Sequence, residues 1–202
     1  MASELIVQTI QGPSSGANAN KVLIPSGHTL DVSGGTLTPS SGQSVQLLQA
    51  KDTTQATYAT SSWNQTPLYL DITPKLSGSK FYLNVNVGVS GDQGGAEGVG
   101  CKIQRQINLG ASSDADGRHP NNWGSHGAIA GYNGDAVAAT SIAFQILDAP
   151  SYTIGDTIRY TLYVRGYTSA YPIGYNQGRS FDSDSTGRWT TPSVITVQEI
   201  AQ

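Results

Sequence analysis

The chain reads as all-β: an extended N-terminal arm of short strands over residues 1–43, then an antiparallel jelly-roll-like β-sandwich over residues 44–202. Three observations predict this. After Ser44 the sequence runs through eight segments that alternate apolar and polar side chains, and no stretch sustains the 3.6-residue period of an amphipathic helix. Turns rich in Gly, Ser and Asn separate the segments and leave no crossover helices, which is the pattern of a sandwich rather than a parallel sheet. The composition agrees: of 202 residues only 12% are charged and 37% hydrophobic, with 24 glycines. That charged share is about half of what an ordinary soluble domain carries, and Ser, Thr and Gly serve turns and pleated faces where Lys, Glu and Leu would serve helices.

The arm comes first. "ELIVQTI" is a short strand, "QGPSSGANAN" a turn-rich linker, and "KVLI" and "HTLDV" are short strands on either side of a turn at Pro25-Ser26-Gly27. Its large apolar residues are few, among them Leu5, Val7, Ile10, Val22, Ile24, Leu30 and Val32. So few side chains cannot offset roughly 1–2 kcal/mol of backbone entropy per ordered residue. The arm therefore needs a surface outside itself, either copies of itself wound about an axis or a groove on a larger particle. These seven residues are the expected attachment and oligomerisation contacts.

The sandwich strands follow in order: "SVQLLQA", "TQATYAT", "PLYLDITP", "SKFYLNVNVGVS", "GVGCKIQRQI", "ATSIAFQILD", "TIRYTLYVRG" and "SVITVQEIA". In the fourth, Phe81, Leu83, Val85, Val87 and Val89 alternate with Tyr82, Asn84, Asn86 and Gly88, giving one dry and one wet face. Ile158, Tyr160, Leu162 and Val164 do the same against Arg159, Thr161, Tyr163 and Arg165. Two long insertions, residues 108–137 and 166–192, interrupt the series. Loops of that length inside a compact domain are functional or disordered. Trp123 and Tyr132 in the first, with Tyr167, Tyr171, Tyr175, Phe181 and Trp189 in the second, argue for ordered contact surfaces, because disordered segments lack aromatics. Rigid rings among Ser, Gly and Asn suit recognition of a host glycan or protein, and equally suit packing under their own loops or against a neighbouring subunit.

Other chemistries find little support. A net charge of −3 offers no basic stripe for nucleic acid, and no run has the length of a membrane span. "MASELIVQTIQGP" lacks the basic and apolar regions of a secretory signal, so assembly in a cytoplasm is expected. The single cysteine, Cys101, forms no internal disulfide and reads as a small apolar strand residue. "DSDSTG" places Asp182, Asp184 and Thr186 like the start of a calcium loop, yet Ser193 stands where the closing Glu belongs. His119, His126 and Asp116 fall short of a matched donor set. No nucleophile elbow, zinc-protease helix or phosphate loop is present, so neither catalytic residue, cofactor nor metal is assigned.

Some segments carry a family resemblance. "IPSGHTLDVSGG" resembles the short-strand repeat near the start of bacteriophage tail-fibre and virion structural proteins, particularly of marine and cyanobacterial phages. "LDITPKLSGSKFYLNVNVGV", "SIAFQILDAPSYTIGDTIRYTLYVRG" and "SVITVQEIA" follow, in order, the pattern of a phage fibre domain. The resemblance implies a homotrimer with β-sandwich tips, located in the virion and joined to other virion proteins by its N-terminal arm. The aromatic loops depart from the pattern. The expected function is a tail fibre or tip that recognises the host surface; the alternative is a capsid decoration, head-fibre or cement protein without a receptor.

Overall fold

The computed structural model describes residues 14–16, 26–28, 39–59, 61–90, 98–115, 140–166, 172–177 and 191–202, and the backbone of 130–133. The chain divides into two compact units, Met1–Thr38 and Pro39–Gln202. In the first, the described residues include a turn at Ser26–Gly27, with Gly27 at a φ of 81° that favours glycine. The arm contacts Leu5, Val7, Ile10, Val22, Ile24, Leu30 and Val32 lie outside the described residues.

The second unit is all-β among the described residues. Its strands are β1 (Ser44–Asp52), β2 (Ala56–Tyr58), β3 (Asn64–Ile72), β4 (Lys80–Ser90), β5 (Gly98–Ile107), β6 (Ser113–Asp114), β7 (Ala130–Asn133), β8 (Thr140–Asp148), β9 (Ile158–Gly166), β10 (Ile173–Tyr175) and β11 (Ser193–Ile200). They form two antiparallel sheets. In sheet A, β8 lies along one side of β4; β11 and then β10 share its other side, and β1 and β2 pair outside those two. In sheet B the order is β3, β9, β5, with β6 and β7 sharing the far side of β5.

Grouping strands that share a column gives eight positions along the chain, ordered 1-8-3-6 in sheet A and 2-7-4-5 in sheet B. First pairs with last, second with seventh, third with sixth and fourth with fifth. That is one long hairpin folded over itself, the double Greek key of a jelly roll.

The eight strands read from the sequence all form, but they do not fill the eight columns one each. "SVQLLQA" and "TQATYAT" supply β1 and β2 of a single column, while the fifth column comes from β6 and β7 inside the first insertion. The second insertion contributes β10. Two- to four-residue strands rich in Gly and Ser carry too little alternation to be read before their partners are known.

The core is what the alternation required. Phe81, Leu83, Val85, Val87 and Val89 of β4 face Ile158, Tyr160, Leu162 and Val164 of β9 across the sandwich, joined by Leu68, Leu70, Ile72, Ile103, Ile142, Phe144, Ile146, Ile195 and Val197. Each such side chain removed from water contributes about 1.5–3 kcal/mol. Gly88 is buried on β4 where the Thr191 carbonyl passes so close that any Cβ would overlap it.

Both ends of the core are closed by carboxylates. At one end Phe81 pairs with Glu199 on one side and Asp148 on the other, so two buried acids flank it in one inward-facing row. Glu199 accepts hydrogen bonds from the backbone N–H of Lys75 and Leu76 (3.0 Å each), from Ser79 Oγ (2.8 Å) and from Gln46 Nε2 (2.6 Å). Asp148 accepts from Tyr160 OH at 2.8 Å and from the Arg105 guanidinium, which binds sheet A to sheet B. Tyr152 packs edge-on against Phe81 at 5.7 Å while its hydroxyl donates to the Leu76 carbonyl and accepts from Ser79 N–H. At the other end Tyr175 OH donates to Asp52 at 2.7 Å. Asn176, in a left-handed turn at φ 54°, donates to the carbonyls of Asp52 and Thr54 and accepts from Ser193 Oγ.

Burial pushes acidic protons up, among them the Cys101 thiol to about 12, and the phenols of Tyr160 and Tyr175 well above 10, helped by the neighbouring Asp148 and Asp52. A raised folded value means the protonated form is favoured in the fold. The associated stability is intact below the ordinary thiol and phenol values and is lost as pH climbs past them. We therefore expect unfolding free energy to fall from about pH 9–10 upward, by about 1.4 kcal/mol per pH unit for each group. A urea titration series between pH 7 and 11.5 measures this, and a profile level to pH 11 contradicts the burial.

Candidate functional site

The outer face of sheet B carries three cations, Lys102, Arg159 and Arg165, and two acids, Asp71 and Asp114. Residues that alternate out of the core on β3, β9 and β5 meet in cross-strand rows: Gln65 with Tyr163 and Lys102, Tyr69 with Thr161 and Gln104, Asp71 with Arg159 and Gln106. A bulge in β3 between Gln65 and Tyr69 sets the spacing of the first two rows. Trp63 stands one residue before β3, where Asn64 pairs with Val164.

At the low-numbered end of the face, Arg159 grips Asp71 through two parallel bonds of 2.7 Å and lies 4.2 Å from the Tyr69 ring centre. Bonding to Asp71 pushes the Arg159 guanidinium up from its ordinary value. At the other end, the Lys102 ammonium is 3.0 Å from Asp114, 4.8 Å from the centre of the Trp63 ring and 5.8 Å from that of Tyr163. Lys102 is only 7% exposed. The Tyr163 hydroxyl donates to Gln65 Oε1 at 3.0 Å, which fixes the ring.

Arg165 completes the cluster. Its guanidinium lies 5.6 Å from the Trp63 ring, its Nε donates to the Gly166 carbonyl at 3.3 Å, and the residue is 8% exposed. Burial pulls its guanidinium down from the ordinary value, the opposite of Arg159. Two cations lie against one indole, and among the described residues the one carboxylate beside them, Asp114, is on Lys102, an arrangement suited to anions.

Of the aromatics expected from the sequence, Tyr175 is corrected: it is a strand residue of β10, fully buried, with its hydroxyl on Asp52, and has no ring face to offer a ligand. Tyr132 lies on β7 opposite Val99. Trp123, Tyr167, Tyr171, Phe181 and Trp189 lie outside the described residues, as do His119, His126 and Asp116 of the weighed metal site and Asp182, Asp184 and Thr186 of the weighed calcium loop. No group of three or more His, Cys, Asp or Glu side chains converges among the described residues. Trp63, Lys102 and Arg165 were missed as a group. Alternation puts Arg165 on the face of β9 expected to be wet, where the structure buries it and Thr161; its meeting with a Trp about a hundred residues earlier depends on which strands pair, and the sequence alone does not state that.

No family profile matches the chain, and no curated protein matches it in sequence. Among solved structures, that of the infectious bursal disease virus Gt strain aligns with 88% of this chain at 15% identity and a TM-score of 0.22. The chain spans less than half of that neighbour, 45% of its length.

Asp114 is the acid that balances a buried ammonium. Replacing it in Asp114→Asn should cost about 2–3 kcal/mol in urea denaturation, toward the lower end for a buried pair because Asp114 remains partly exposed. A variant as stable as the parent contradicts the pairing.

Proposed function

We propose that the chain is a structural protein of a bacteriophage particle, a tail fibre or tip, whose sandwich meets the host surface through the outer face of sheet B and the loops around it. The observation that carries this reading is the Trp63–Lys102–Tyr163–Arg165 cluster on a jelly roll. Jelly rolls recur in viral capsids and in lectins, and function resides in the site that a fold displays. The scarcity of charge supports it as well: a chain with 12% charged residues sets three of its cations on one sheet face. The phage-like segments contribute differently, since Glu199 of "SVITVQEIA" and Asp148 of "SIAFQILDAP" hold the fold together.

In this reading residues 1–43 join the chain to other virion proteins and to two further copies, giving a homotrimer. Weak sites on three linked sandwiches gain avidity without new contacts. No catalysis, cofactor, metal, nucleic acid or membrane insertion is invoked.

One observation favours the second reading, a capsid decoration or cement protein. The outer face of sheet A carries an uncharged row, Gln49, Thr196, Asn84 and Gln145, beside a row that runs from Leu47 through Gln198 and Tyr82 to Leu147. Leu47 is 63% and Leu147 51% exposed. Faces depleted in charge lose little on burial against another protein.

Competition for adsorption separates the readings. Pre-incubating host cells with the purified protein should slow adsorption of the intact phage. An unchanged adsorption rate, with the protein present in purified virions, favours decoration; absence from purified virions overturns both.

A further inference from the structure

The three cations on the outer face of sheet B are not equivalent. Arg159 is matched by Asp71 and Lys102 by Asp114, whereas Arg165 contacts no carboxylate among the described residues. More than nine-tenths of Arg165 is buried, and one of its five N–H donors is taken, by the Gly166 carbonyl at 3.3 Å. A buried ion without a counter-ion destabilises a fold, and a guanidinium has no neutral form to retreat to. The fold nevertheless keeps one.

What surrounds it defines the missing partner. Among the described residues Asp114 pairs with Lys102, which leaves Arg165 as the unmatched charge of the cluster. A single carboxylate would balance it; a phosphate dianion would leave excess negative charge next to Asp114. The guanidinium fork matches a carboxylate in two parallel bonds. Trp63 and Tyr163 are each half-buried and border the cluster, and the Tyr163 ring is held by Gln65. Aromatic walls of this kind suit a rigid ring with an apolar C–H face, such as a pyranose, rather than a flexible chain, because rigid contact area costs little entropy. A carboxylate carried on such a ring is an acidic sugar.

We propose that Arg165, flanked by Trp63 and Tyr163, is the subsite for the carboxylate of an acidic sugar residue, a uronate or sialate, in a host surface glycan. The inference rests on host contact through sheet B and names the ligand class. Lys102 stays bonded to Asp114 and lies against the Trp63 and Tyr163 rings. Binding weakens as salt rises.

Calorimetry on the full-length chain tests it with four probes: oligogalacturonate, sialyllactose, a neutral galactose oligosaccharide and polyglutamate. One of the two acidic sugars should bind at least tenfold more tightly than the neutral one and than polyglutamate. Arg165→Met should lose at least tenfold in that affinity yet melt at or above the parent temperature, because an apolar side chain replaces an unpaired buried charge. Arg165→Lys, which keeps charge but loses the fork, should fall between them. Tighter binding of polyglutamate assigns the site to acidic peptides and overturns the proposal. So does undiminished sugar binding by Arg165→Met, or a melting temperature well below the parent's, which makes the guanidinium structural. Absence of binding to both acidic sugars overturns it too. If the protein then still competes with phage for adsorption, host contact stands and only the ligand class fails.

Discussion

The Glu199 carboxylate holds together three parts of the chain that are far apart in sequence. Through Gln46 it fastens β1, through Lys75, Leu76 and Ser79 it shapes the turn between β3 and β4, and it sits itself on β11. Because the first column pairs with the last, the sandwich stays open until residues near the C-terminus are in place. Gly42 N–H donates to the Ala201 carbonyl, and Ala201 N–H to that of Gln43, completing the closure. Such long-range pairing must be reached before the core rewards it, and charge-assisted bonds of about 1.5–3 kcal/mol each make the closed state worth reaching.

Seen this way, the buried charges divide by how well they are satisfied. Glu199 and Asp148 have hydrogen-bond partners on both carboxylate oxygens. Arg165 lacks that satisfaction, and it lies on the outer face of sheet B rather than in the core. A chain so poor in charge places acids where the fold needs tension and leaves a base where a ligand can supply the balance. The two outer faces differ: sheet B carries cations and aromatic rings, and sheet A carries amides, hydroxyls and leucine, with Lys51 and Val194 in a further row.

Alternation made much of the fold legible. It identified the dry faces of β4 and β9 residue by residue, since a pleated strand leaves no choice once one face is buried. It could not give the columns, because pairing between strands a hundred residues apart is a property of the closed sandwich. β6, β7 and β10 were hidden for lack of length, and Tyr175 was therefore read as a loop aromatic when it is a core residue. The motif segments were visible but their meaning was not: Glu199 in "VQEIA" shares the face of Ile195 and Val197, and the donors that satisfy it there come from the turn at 74–79.

The Glu199 carboxylate, held by backbone and side-chain donors, locks the jelly roll shut. Glu199→Gln keeps the shape of the side chain while turning one acceptor into a donor that faces N–H groups. Equilibrium urea denaturation should show the variant less stable by about 2–4 kcal/mol, with the loss appearing as a lower midpoint. A variant that unfolds with the parent would contradict the claim.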